Sequence, residues 1–304
     1  MRSWLFAVLF SWGGFSLAQG EQTPIELTGT LAKVRASGAV TLAYRESSVP
    51  FSFLSPRGEV VGYSIELCRK LVGAMGEAVG RELGLKWLAV TSETRIDAVV
   101  SGRADLECGS TTSNLERRKV VAFSPVIFVS GTKLLVKRGS PVRSYRNLAG
   151  KTVVVTAGTT NEKAMEEIGR RFKIDFKIVK EKDHSGSYAR LEAGKADAFA
   201  TDDVLLYGLI AQNQAKKDYQ VVGEFLSYDP YGIMFRKGDA QLAELVQRAF
   251  HDLAEDGEIE RQYKRWFLQR LPAPPGRTGQ SLDLPMSAQL ETLIRALAES
   301  KPND

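Results

Sequence analysis

Cysteine and histidine are nearly missing from this chain, with two of each in 304 residues. His184 and His251 read as too isolated from one another, and from other ligands, to form a site of the usual metal-binding spacing, so no metal and no other cofactor is expected. Also missing are a P-loop, a dinucleotide Gly fingerprint, a GxSxG elbow and a heptad array. Their absence removes the sequence grounds for a nucleotide-binding enzyme, an α/β-hydrolase or a coiled coil. Without a nucleophile constellation, hydrolase chemistry has no reagent. Beyond the first residues, no apolar run approaches the roughly 20 residues that a membrane helix needs. Nor does one charge dominate: 41 Lys and Arg are scattered among 36 Asp and Glu, which makes a solvated mixed surface rather than a nucleic-acid face.

What is present begins with a leader. Residues 1–18 carry Arg2, an apolar run from Trp4 to Phe10, and Ser16-Leu17-Ala18 as a small-residue cleavage site. This is a signal-peptide pattern, so the mature chain is expected to start near Gln19 in an extracytoplasmic space, free or tethered through a partner, without a lipid anchor because no Cys adjoins the cut. Export leaves two readings open for the cysteines. Cys68 falls on the apolar stripe Ile65, Cys68, Leu71, Val72, Met75 of a helix, and Cys108 lies near the end of a strand; the pair is compatible with a disulfide and with two buried thiols.

The same phrase occurs twice. Ser101-Gly102-Arg103-Ala104-Asp105-Leu106 is echoed by Ala193-Gly194-Lys195-Ala196-Asp197-Ala198, each after an amphipathic stretch. A Gly after a helical pattern is the usual left-handed stop, so each copy ends a helix and launches a short strand. The length fits about two domains. The pattern predicts an α/β fold of two lobes, each a mainly parallel sheet flanked by helices. Lobe 1 would comprise residues 31–130 plus 231–304, including a C-terminal helical tail, and lobe 2 residues 131–230, with two crossings making a hinge. Ser64 is expected to cap the helix running toward Gly76, Ser113 with Glu116 to form a capping box, and 122–136 to form one extended run.

Ligands of open α/β sheets lie beyond the carboxyl ends of the strands. Four loops there stand out: 44–48, 91–95, 109–117 and 156–160. They offer hydroxyls, backbone amides at a helix start and three guanidiniums, Arg45, Arg95 and Arg117, against which Asp202 is the one negative group counted. Planar guanidinium forks pair with carboxylates, so a guest with two carboxylates and one ammonium, an acidic amino acid, would satisfy most of this set. The bland alternatives are solvated arginines and ordinary helix caps.

Five phrases carry a resemblance: 44–52, 107–112, 114–117, 154–160 and 182–184. In order and spacing they resemble solute-binding protein family 3, in its glutamate/aspartate-binding branch serving bacterial ABC importers. The resemblance runs from about Leu31 to the terminal helix. It implies a two-lobed, hinge-closing, monomeric receptor that hands L-glutamate or L-aspartate to ABC permease subunits and is not an enzyme. Position by position, it implies that Arg117, Thr112, Ser110 and the amides near Thr159 and Thr160 hold the α-carboxylate. Asp202 with Ser110 takes the ammonium, and Arg45, Ser92, Arg95 and His184 enclose the second carboxylate. Ala157 stands where a Ser is common, and Cys68 is unusual. Exported dehydratases of the prephenate/arogenate type resemble the same scaffold and supply the alternative, with Glu46 or His184 as the acid.

Overall fold

The structure is a computed structural model that describes residues 26–300; the leader read over residues 1–18 lies outside the described residues. Helix α1 (Gly29–Ser37) stops at the left-handed Gly38 and releases β1 (Ala39–Tyr44). A small antiparallel sheet follows, β2 (Ser47–Ser48), β3 (Ser52–Leu54) and β4 (Val60–Val61), turning at Gly58. Helix α2 (Tyr63–Val79) buries the stripe read from the sequence, Cys68 included. Its start corrects the expectation for Ser64. The N-cap is Gly62, at φ 137° with the Phe51 carbonyl where a Cβ would go, and the Ser64 hydroxyl donates instead to the Gly109 carbonyl at 2.8 Å. Only glycine fits so close an approach, so the helix begins two residues too early for Ser64 to cap it; it also runs past Gly76 to its cap at Gly80.

The first lobe continues with β5 (Gly84–Ala89), α3 (Arg95–Val100), β6 (Leu106–Glu107), α4 (Leu115–Arg118) and β7 (Val121–Phe123). Asn114, not Ser113, caps α4, accepting from the Arg117 amide at 2.9 Å. Ser113 is drawn away because its own amide donates to the Pro230 carbonyl at 2.7 Å. The expected run 122–136 is three pieces: β7, then β8 (Phe128–Ser130), then β9 (Thr132–Lys137). Ser124-Pro125 breaks it first, and Gly131, where a Cβ would meet the Ser227 carbonyl, breaks it again.

The second lobe adds β10 (Thr152–Thr156), α5 (Thr160–Phe172), β11 (Lys177–Glu181), α6 (His184–Glu192), β12 (Ala198–Asp202), α7 (Asp203–Gln212) and β13 (Tyr219–Val222). The chain returns through β14 (Asp229–Tyr231), antiparallel to β8, and β15 (Met234–Arg236), then ends in α8 (Ala240–Glu255), α9 (Glu258–Tyr263) and α10 (Ala288–Glu299). Two five-stranded sheets result, ordered β5-β1-β6-β15-β7 and β11-β10-β12-β9-β13. In each, the first three strands are parallel and the last two pairings antiparallel, so the sheets are mixed.

The repeated phrase has a shared job. Gly102 and Gly194 take left-handed φ values of 77° and 69° just past their helices. Asp105 exchanges two bonds with Thr41, its amide to that carbonyl and its carboxylate from that amide, each at 2.8 Å. Asp197 does the same with Thr152, again at 2.8 Å. Each Asp thereby fixes the level at which a short strand joins its lobe's first strand.

Aromatic rings pack at the crossings: Phe51 lies 5.1 Å from both Phe128 and Tyr231, and Phe128 stacks on Phe267 at 5.0 Å. The tail 270–300 touches both lobes. Leu290 and Ile294 join the first lobe's core, while Asp283 pairs with Lys216 at 2.8 Å. Of the two states left open for the cysteines, the structure shows the disulfide, Cys68–Cys108, tying α2 to the residue after β6.

Candidate functional site

Every residue nominated from the sequence follows or ends a strand on the facing edge of its sheet. Arg45 follows β1; Ser92 and Arg95 follow β5; Ser110, Thr112 and Arg117 follow β6. From the other lobe, Thr159 and Thr160 follow β10, His184 follows β11, and Asp202 ends β12. Parallel pairing of β1 with β5 and β6, and of β10 with β11 and β12, puts those ends together.

Eight of the ten line one cavity of about 10 Å³: Ser92, Arg95, Ser110, Thr112, Thr159, Thr160, His184 and Asp202, with Asn161 and Leu205. That is room for about one water molecule, so the facing walls of the two lobes are in near contact. The other two flank it. Arg117 borders the cleft mouth beside Ser92, Thr159 and Thr160 and donates from Nη1 to the Thr112 carbonyl at 2.9 Å. Arg45 lies behind the cavity, 1% exposed, with Nη1 and Nη2 both buried and without a hydrogen-bond partner. Ser92 Oγ and Arg95 Nε are likewise buried and unpartnered. The lobes meet over the cavity, Thr112 Oγ1 and Thr160 Oγ1 being 3.3 Å apart.

The electrostatics follow from burial. Desolvation, then the neighbouring Arg95, brings the Arg45 guanidinium down to about 9, and the same two causes bring Arg117 to about 9. Burial foremost also lowers Arg95. His184, its Nδ1 2.8 Å from Thr156 Oγ1, is held well below the usual histidine range by burial and then by Arg45 and Arg95, so it is neutral. Burial, then Asp229, pushes Asp202 up to about 8. Thr159 is the N-cap of α5: its hydroxyl accepts from the Glu162 amide at 3.1 Å and donates to the Thr156 carbonyl at 2.7 Å. What this corner offers an anion is the first-turn amides of α5.

The charge inventory from the sequence is short by two carboxylates. Glu107, fully buried, accepts from Thr111 Oγ1 at 2.6 Å and leaves Oε1 unpartnered beside the arginines. Asp229, 1% exposed, accepts from Thr112 Oγ1 at 3.0 Å. Asn161 and Tyr231, which both donate to Asp202, are further omissions. Glu107 had a legible signal, a charge between Leu106 and Cys108 in a short apolar strand; the hinge residues had none, because only the fold brings 229–231 to the cleft.

His251 is also corrected. Only 9% exposed, it has a ligand atom within 4.8 Å of others on Asp252 and Glu255. His251 and Glu255, at i and i+4, share a face, and the adjoining Asp252 brings Oδ1 to 3.2 Å from His251 Nδ1. The acids are exposed, and such groups are common without an ion.

A family model described as bacterial extracellular solute-binding proteins, family 3, matches residues 40–269. The L-glutamate/L-aspartate-binding protein of Pseudomonas aeruginosa is 43% identical over 271 residues, 88% of this chain and 88% of that protein. The glutamate/aspartate import solute-binding protein of Escherichia coli is 37% identical over 95% of this chain and 93% of its own length. Among solved structures, the P235GK mutant of ArgBP from T. maritima superposes with a TM-score of 0.71 at 26% identity, covering 79% of this chain and all of that one. The ancestral amino acid-binding protein AncCDT-1, a precursor of cyclohexadienyl dehydratase, gives 0.68 at 26% identity over 78% of this chain and 99% of its own.

Proposed function

Because the chain belongs to the bacterial extracellular solute-binding proteins, family 3, we propose that it is the receptor that captures L-glutamate or L-aspartate between its lobes and delivers it to the permease of an ABC importer. Residues 1–18 would be its export signal and the periplasm its place of work, as a monomer whose lobes are 31–130 with 231–304, and 131–230. Relatives named for glutamate and aspartate favour that ligand class. The observation that carries it is the Arg45 guanidinium, buried with both terminal nitrogens unpartnered next to a cavity that Arg95 lines. A buried unpaired cation is costly, and a carboxylate between these two forks removes the cost.

The remaining groups divide accordingly. Arg117, Thr112 and the amides opening α5 take the α-carboxylate, Asp202 and the Ser110 carbonyl take the ammonium, and Ser92 and neutral His184 complete the shell around the second carboxylate. The two acids named for the dehydratase alternative do not serve it: Glu46 is exposed, and His184 holds no proton to give as an imidazolium at neutral pH. The curated relatives are binding proteins.

A thermal-shift screen of the twenty amino acids tests the reading, since a ligand of the native state stabilises it by about 2.7 kcal/mol at a hundred times its Kd. Glutamate and aspartate should raise the melting temperature, while glutamine and arginine leave it in place; the reverse order sinks the proposal. Closure has its own test. Gly208 on α7 has the Val49 carbonyl of the opposite lobe where a Cβ would sit, so Gly208→Ala should weaken glutamate binding by roughly 1–3 kcal/mol and leave a more open molecule in small-angle scattering. Unchanged affinity and shape would show that this contact does not limit closure.

A further inference from the structure

The Asp202 carboxylate is gripped from two sides. Asn161 Nδ2 donates to Oδ1 at 2.8 Å, and the Tyr231 hydroxyl donates to Oδ2. Tyr231 is not in a cleft loop. It ends β14, the strand returning from the second lobe, and bridges to Thr112 of the first. Asp229, two residues earlier and so on the same face of that strand, accepts from Thr112 Oγ1 and from the Ser227 hydroxyl. Ser227 Oγ lies 2.7 Å from Thr132 Oγ1, which accepts the second Asn161 N–H at 2.7 Å. One chain of bonds thus runs from Asp202 through Asn161, Thr132 and Ser227 to Asp229, and Tyr231 joins its start directly to the hinge strand.

We propose that Tyr231 and Asp229 are positioning residues for the ammonium site: Tyr231 holds Asp202 in place and favours its ionised form, Asp229 opposes that ionisation, and capture of the ammonium is thereby tied to the strand on which the lobes turn. The inference rests on the reading of Asp202 as ammonium acceptor. A donor to a carboxylate stabilises its anion, and a second carboxylate destabilises it. The groups facing Asp202 are Asp229 and Tyr231 on β14, Asp203 beside it, Asn161 on α5, and Arg95 and Arg117 across the cleft; His184 shares the cavity wall. Burial and Asp229 raise Asp202 to about 8, while Tyr231 and Asn161 pull the other way. An ammonium needs the anion, so the complex holds fewer protons than the free protein below about pH 8, and affinity rises with pH until Asp202 is ionised in both.

Calorimetric titration of the full chain with L-glutamate from pH 6 to 9 tests this. In the wild type, Kd should tighten by about tenfold per pH unit and level off near 8. Tyr231→Phe should move the break upward, so that its loss is larger at pH 7 than at pH 9. Asp229→Asn should move it downward and make binding at pH 6 relatively stronger. A merely structural lesion weakens binding equally at every pH and leaves the break in place, and that result, or a flat wild-type profile, overturns the proposal. Either variant suffices where the other does not fold. A wild type that binds no L-glutamate at any pH sinks the receptor reading itself, which is a different outcome from binding without pH dependence.

Discussion

Arg117→Ala should lose the binding of every amino acid, by about 3–5 kcal/mol or a hundredfold to several thousandfold in Kd. Arg117 is 8% exposed and gives one bond to the Thr112 carbonyl, at the cleft mouth where Ser92, Thr159 and Thr160 converge. Its removal leaves the guest's α-carboxylate desolvated against Thr112 and the first turn of α5, with no cation to pair it. Arg45→Ala and Arg95→Ala should behave differently. They remove the forks proposed for the second carboxylate, so glutamate should weaken toward glutamine while binding of the amino-acid head persists. Calorimetry with L-glutamate, L-aspartate and L-glutamine on the three variants separates these patterns; tight glutamate binding by Arg117→Ala would refute the division of roles.

The second large effect lies outside the cleft. Opening the Cys68–Cys108 bridge, by reduction or by Cys68→Ser, should cost about 4 kcal/mol, the entropy of a closed loop spanning a sequence separation of 40. The bond holds α2 against the end of β6, one residue from Glu107 and two from Ser110, so the loosened form should also bind its ligand more weakly. Urea unfolding with and without reductant measures the first consequence, and titration under the same conditions the second. A midpoint indifferent to reductant would show that the packing of α2 suffices without the bond.

Much of this was legible because its causes are local. The two Gly-x-Ala-Asp echoes end their helices as read and mark equivalent points of the two sheets. The cleft arginines were visible as loop residues after strands. What escaped depends on residues distant in sequence. Ser64 fails as a cap because Phe51 crowds Gly62; Ser113 fails because Pro230 claims its amide. The antiparallel fourth strands, β15 and β9, could not be placed from periodicity, since nothing in a three- or six-residue run names its neighbours. Asp229 and Tyr231 reach the site only through the return crossing.

That crossing has a further consequence for how the molecule is made. The middle of the first sheet is completed by β15, Met234–Arg236, which lies between β6 and β7, whereas the second sheet is built from the unbroken stretch 132–222. A nascent polypeptide stopped near residue 130 therefore has two bare strand edges facing a slot that its own later translation must fill, the kind of edge that invites pairing with a stranger. The half begun first is finished last, and until residue 236 has emerged it depends on being kept from premature collapse.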